Sequence, residues 1–342
     1  MNKTFGIICA NYDLKDFGSL LDRRTISSLP IAGRYRMVDF PLSAMVHAGI
    51  TAVGLIMPYY YRSLIDHVGT GKAWGLDRKT DGLFPLPGQM YAREESGYKF
   101  HVGDMLDNHR FIERRPDNMN CVFMSTSYVY NPDLKPIIEA HEASGKPLTV
   151  VYKKGANGKK VFIDLSIMSK KAIEEIMAAY KNKPFLSWVD AATEYLGKKN
   201  INEYIYDGYA EEIVDVSDYM KISQDLLDPN VIKQIFIRSR DLITKTQDEA
   251  PAVYGDNAKV SNSFVSAGCR IEGTVENCIL FRNVTVEKGA VLKNCIVMQH
   301  TKIASGAKLT NVIADKYVHV SKDVKLEGGS ARPIILPKNE TI

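Results

Sequence analysis

The chain has 342 residues, 45% hydrophobic and 25% charged, a balance that fits a globular protein of one large or two moderate domains. Its formal charge of +4 is the small remainder of 44 Lys and Arg against 40 Asp and Glu, too weak a bias for a nucleic-acid partner. No apolar run approaches the ~18 residues of a membrane span, and the short apolar run near the N-terminus does not predict a signal peptide. Five cysteines without CxxC spacing fit reduced thiols, not a zinc site, so a cytoplasmic protein is expected.

In chain order, TFGIICA (4–10), ITAVGLIM (50–57), NCVFMST (120–126) and PLTVVYK (147–153) are short, apolar and partly β-branched. Turn residues flank them, which predicts buried parallel strands. YRSLIDHV (61–68), LKPIIEAHEAS (134–144) and KKAIEEIMAAYK (170–181) predict helices, the last with apolar residues at three-to-four spacing. Alternating strands and helices imply an α/β domain, a mostly parallel sheet with helices on both faces. It is read over residues 1–237, followed by a linker over 238–254 and a second domain over 255–342.

In the second domain helical periodicity disappears. LFRNVTVEKGAVLKNCI (280–296), VMQHTKIASGAKLTNVI (297–313) and ADKYVHVSKDVKLEGGS (314–330) are three consecutive units of 17 residues. Val286, Ile303 and Val320 align within them, as do Leu292, Leu309 and Leu326. The preceding VSAGCRIEGTVENCI (265–279) fits if two residues are missing. Three six-residue steps per coil describe a triangular prism, the left-handed parallel β-helix of hexapeptide repeats. Cys278 and Cys295 fall at equivalent coil positions and are read as stacked core residues.

The stretch CVFMSTSYVYNPD (121–133) carries the functional question. In an α/β sheet the C-terminal end of a central strand is where ligands sit. A phosphate-handling enzyme places a carboxylate there to hold magnesium. Here the strand runs out into Ser125, Thr126 and Ser127, which offer only hydroxyls.

SLPIAGRYRMVDFPLSAMVHAGI (28–50) resembles the glucose-1-phosphate adenylyltransferase (ADP-glucose pyrophosphorylase) family of bacteria, on Pro30, Gly33, Arg34, Arg36, Asp39, Phe40, Leu42 and Ser43. HVGTGKAWGLDR (67–78) and KISQDLLDPNV (221–231) are similar to further segments of that family. The resemblance implies a Rossmann-like nucleotidyltransferase domain followed by hexapeptide coils. It also implies a reaction joining ATP to glucose 1-phosphate with release of pyrophosphate.

The family's chemistry requires several parts, and this chain departs from most of them. The glycine-rich phosphate loop corresponds to ANYDLKDFGSLLDRR (10–24), with no glycine over 11–17. Side chains and the negative charge of Asp13 and Asp16 oppose the close approach of a triphosphate. Ile26 falls at the lysine of the family's A-K-P run. Ser127 occupies the position of one metal-holding aspartate, and Glu212 that of the other. The sugar-phosphate lysine has no clear counterpart in YKKGANGKKVFI (152–163). The resemblance is therefore closest to the GlgD-type, non-catalytic subunit of that family. This implies that the chain needs no cofactor of its own and that Mg2+ belongs to a catalytic partner. The partner is expected in a hetero-oligomer, as a tetramer, with a homo-oligomer as the form of the chain alone.

Arg23, Arg24, Arg34 and Arg36 are the candidates for an anion or phosphorylated-effector site, since the guanidinium fork matches phosphate. Asp39 is read as a cap or buried acceptor, and Trp74 as packing. Two enzymatic readings compete. An active nucleotidyltransferase would need a rebuilt metal site, with Asp104 or Asp133 joining Glu212. A hexapeptide acyltransferase would use His300 or His319, but leaves the α/β half without a role. A scaffold or ligand sensor without a catalytic partner is the non-enzymatic alternative.

Overall fold

The computed structural model describes residues 4–10, 16–57, 60–88 and 100–342. Eleven strands serve the first domain: β1 (Thr4–Cys9), β2 (Pro30–Ile31), β3 (Tyr35–Arg36), β4 (Ala52–Met57), β5 (Gly82–Pro87), β6 (Asn120–Ser125), β7 (Tyr128–Tyr130), β8 (Leu148–Lys154), β9 (Lys160–Ser169), β10 (Ile201–Ile205) and β11 (Ala210–Glu212). Seven of them form one sheet in the order β10-β8-β9-β6-β1-β4-β5. β1 lies between β4 and β6, parallel to both. β5, with Pro85 and Pro87, is an edge strand, where missing ladder donors are tolerated.

Alternation along the central strands splits the core. Cys121 and Phe123 of β6 face one apolar layer, and Val122 and Met124 face the other. Helices cover the sheet as the periodicity predicts. Ser169 caps the helix Lys170–Ala179, which buries Ile173, Ile176 and Met177. Asp133 caps the helix Leu134–Ser144 by accepting from the Lys135 amide, and Gly145 ends it with a positive φ.

One strand departs from the expected parallel order. β9 inserts antiparallel between β6 and β8, and the polar turn 155–159 joins it to β8. The segment 152–163 is therefore an arm of a sheet hairpin. Its Lys153 pairs with Glu211 at 2.6 Å, and Lys160 pairs with Glu203.

The second domain is a parallel β-helix with three five-stranded sheets. The repeat register holds: Val286 pairs with Ile303 and Ile303 with Val320, while Leu292, Leu309 and Leu326 form a second column. The short coil loses its two residues at one corner. Arg270 pairs with Thr285, 15 positions on, whereas Thr274 pairs with Val291, 17 positions on. Gly273 makes that tight corner possible, because a Cβ there would meet the Ala290 carbonyl oxygen at 2.4 Å. Asn277, Asn294 and Asn311 stack at another corner with φ of 52° each, a conformation asparagine tolerates better than most residues. Cys278 and Cys295 are buried free thiols in the coil core.

Residues 236–252 carry no helix or strand beyond an isolated bridge. The Asn131 side chain holds this connection by donating to the Ile235 and Arg240 carbonyls. No helix of the described residues is long and apolar enough to cross a membrane. The two domains share one core, in which Ile279, Phe281, Ile296, Met298 and Ile313 of the β-helix join Phe17, Leu20, Ile26 and Leu29. Ser266 donates to the Gly33 carbonyl at 2.9 Å, and Gln224 donates to that of Asn277 at 3.0 Å. Within this contact Arg24 and Asp315 form a buried ion pair, 8% and 1% exposed.

Breaking one side of such a pair leaves an uncompensated buried charge. Asp315→Ala is expected to lower stability by ~3–5 kcal/mol in chemical denaturation. The joint replacement Arg24→Met with Asp315→Leu is expected to recover most of that loss, which separates charge burial from packing.

Candidate functional site

The end of β6 sits beside the end of β1 at the centre of the sheet. Ser125, Thr126 and Ser127 are all fully buried. Their hydroxyls bond to one another and to neighbouring side chains. Ser125 Oγ donates to Asp164 Oδ2 at 2.9 Å, and Ser127 Oγ to the same oxygen at 3.3 Å. The two serine oxygens lie 3.0 Å apart. Thr126 Oγ1 meets Ser27 Oγ at 2.8 Å. Asp164 comes from β9 with a φ of 52°, a strained backbone for a non-glycine residue, which turns it toward the strand end.

Glu212 lies on β11, paired with Tyr128 of β7. It accepts from the Tyr128 hydroxyl at 3.1 Å. Burial, and then the negative charge of Glu212 and Asp164, push the Tyr128 phenol far above its usual range. Asp104 and Asp133, which a rebuilt metal site would need, have other tasks. Asp104 accepts from the His101 amide at 3.2 Å in a capping box, and Asp133 caps its helix. Among the described residues no three His, Cys, Asp or Glu side chains group as metal ligands. A hydroxyl cluster gathered on one carboxylate does not suit Mg2+, which favours carboxylate and phosphate oxygens with near-octahedral freedom. The loop positions 11–15 lie outside the described residues.

A second concavity of about 1020 Å³ opens between the two domains. Arg34, Arg36, Lys245, Arg282 and Lys316 line it, against one carboxylate among the described residues, Asp66. Two of the four arginines picked from the sequence are thus in the cleft. Arg24 is tied up with Asp315 behind it, and Arg23 is exposed and does not line it. Arg36 is held in place by donating to the Ser63 carbonyl at 2.6 Å, while its amide binds Asp39. Asp39 is a fully buried acceptor that also takes the His67 imidazole at 2.6 Å. Trp74 packs edge-on against His67. Burial lowers the Arg36 pKa to about 10, with Asp39 opposing. Burial, followed by the charges of Arg36 and Arg24, lowers Lys316 to about 7. Burial also lowers Arg282.

Residues 23–160 match the nucleotidyl transferase family and residues 250–329 the GlmU-like C-terminal hexapeptide family. The chain is 35% identical over 294 residues to the glycogen biosynthesis protein GlgD of Bacillus subtilis, covering 85% of this chain and 83% of that protein. Identity to the GlgD protein of Geobacillus stearothermophilus is 37% over the same shares. The chain belongs to the GlgD family. A glucose-1-phosphate adenylyltransferase of G. stearothermophilus is more distant, 27% identical over 78% of this chain and 77% of that enzyme.

In this GlgD-family chain the sequence located Ser127 and Glu212 but missed Asp164. The one available signal was a charge within the apolar run FIDLSIM (162–168). Lys316 and Arg282 were also missed, because each looks like a solvated corner residue within its coil. Lys316 generates a pH prediction. With its ordinary pKa of 10.5 lowered to about 7 by folding, the unfolded chain holds more protons between those values. Stability therefore rises with pH across that window, and the charged amine opposes folding below it. Lys316→Met is expected to raise stability at pH 7 and to flatten the rise toward pH 10, read from denaturation midpoints at several pH values.

Proposed function

We propose that this chain acts in glycogen biosynthesis as the regulatory, non-catalytic subunit of a glucose-1-phosphate adenylyltransferase. The carrying observation is the set of contacts at the end of β6. Ser125 and Ser127 gather on Asp164 where phosphoryl chemistry needs a free, metal-holding carboxylate. The names of the GlgD relatives support the pathway, and the donor set supports loss of catalysis. In this reading the chain requires no cofactor, and the Mg2+ of the reaction is held by a catalytic subunit in a hetero-oligomer, as a tetramer. The cleft with Arg34, Arg36 and Lys316 takes a phosphorylated effector, and protonation of Lys316 on binding adds a fifth cation to Arg34, Arg36, Lys245 and Arg282.

A second reading, an active adenylyltransferase, draws on the 27% identity to such enzymes and on the surviving Glu212 carboxylate. Pyrophosphate release from ATP and glucose 1-phosphate with Mg2+ separates the two. The regulatory reading expects no turnover by this chain alone and a higher rate when it is added to a catalytic adenylyltransferase subunit from the same organism. Turnover by this chain alone that is lost in Glu212→Ala would replace it with the second reading.

A further inference from the structure

Lys316 stands half-buried in the wall of the basic cleft. Among the described residues it has no ion-pair partner. The adjacent Asp315 carboxylate is committed, one oxygen to Arg24 and the other to the Lys316 backbone amide. Burial, and then the charges of Arg36, Arg24 and Lys338 with Asp315 opposing, bring the amine to a pKa of about 7. A lysine desolvated beside other cations holds a large neutral fraction near neutral pH, and the neutral amine is a nucleophile. Tyr317 stacks on His300 with ring centres 4.9 Å apart, which fixes the wall beside this amine.

The rest of the cleft selects what such an amine meets. Arg34, Arg36 and Arg282 present guanidinium forks that suit a phosphate group. Tyr35, Phe236 and Phe264 add an apolar surface, with successive ring centres 5.7 and 6.1 Å apart. A sugar phosphate uses the cations but not the aromatic surface. An acyl phosphate uses both, and it carries an electrophilic carbonyl carbon next to its phosphate. We propose that Lys316 is a modification site, acylated by small acyl phosphates that the cleft positions through their phosphate group. The Nζ lone pair attacks the carbonyl carbon and a C–N bond forms. The C–O bond to phosphate breaks, and inorganic phosphate leaves with that electron pair and takes up the proton lost by the nitrogen. The product amide carries no charge, so the modified cleft holds a phosphorylated effector less tightly. The step requires the cleft to be an anion site, as in the proposed function.

Acetyl phosphate is the probe, with acetylation of the full chain followed site by site in peptide mass spectra. Lys316 is expected to react at least about tenfold faster than the exposed Lys288 and Lys322 of the same β-helix. Arg34→Gln, at an exposed position, is expected to slow Lys316 several-fold and to leave Lys288 and Lys322 unchanged. Acetic anhydride supplies the same acetyl group without a phosphate, and its preference for Lys316 is expected to be smaller. An equal preference with both donors, or acetylation of Lys316 no faster than of Lys288 and Lys322, overturns the proposal. Titration of the unmodified chain with inorganic phosphate tells this inference from the anion-site reading. Phosphate binding without preferential acetylation overturns the inference alone, whereas no phosphate binding removes the anion site on which both rest.

Discussion

The contact between the α/β domain and the β-helix organises the rest of the molecule. Its apolar part is continuous with the core of the first domain, so the two units are not joined merely by a tether. Its polar part places the Arg24–Asp315 pair where solvent is excluded. Such a pair stabilises little by itself, because desolvation offsets most of the attraction. It ties residues 17–36 to the coil that presents Asp315. The same docking sets Arg34 and Arg36 opposite Arg282 and Lys316, and thereby creates the basic cleft. The low pKa of Lys316 follows from the same contact: burial there lowers it first, and the nearby charges of Arg36 and Arg24 add to the effect.

At the strand end, buried hydroxyls stand where a ligand site is expected, and they are satisfied within the protein. A lone buried hydroxyl at position 127 would carry an unpaired polar group, at a cost of ~1–3 kcal/mol. Here Asp164 satisfies both Ser125 and Ser127, and Thr126 is bonded to Ser27. The backbone strain of a left-handed Asp164 is offset by these contacts. The substitutions are therefore coupled, since serine at 127 is comfortable because an aspartate from another strand reaches it.

This coupling also explains what the sequence could and could not disclose. The strands 4–9, 52–57 and 120–125 were legible because burial on both faces leaves continuous apolar runs. The coils were legible because their register repeats every 17 residues, and even the short coil was visible as a deletion. β9 was not, because its first residues follow a lysine-rich turn and its pairing with β6 joins positions more than 40 apart in the sequence. Asp164 and the cleft cations were hidden for a related reason: their meaning lies in what faces them across elements distant in the chain. Arg23 and Arg24 were adjacent in sequence to true cleft residues, yet one points to solvent and the other into an ion pair.

The two sides of the cleft are not equivalent. On the α/β side Arg36 is fixed through Ser63 and Asp39, so that wall is already set. On the β-helix side Lys316 has no ion-pair partner among the described residues, and its own amide is bonded to Asp315. An anion arriving in the cleft therefore changes most at Lys316, and the next group in line is the Asp315 carboxylate that holds Arg24. Arg24 lies three residues before Ser27, whose hydroxyl meets Thr126, so the cleft reaches the strand end through one ion pair and a few residues of chain. Such a connection is regulatory only when two states of the protein bind the anion unequally. In the proposed non-catalytic subunit the strand end offers no internal readout for that difference. The consequence has to appear in a second subunit docked against it, and this is why an emptied site and an intact basic cleft belong in the same reading.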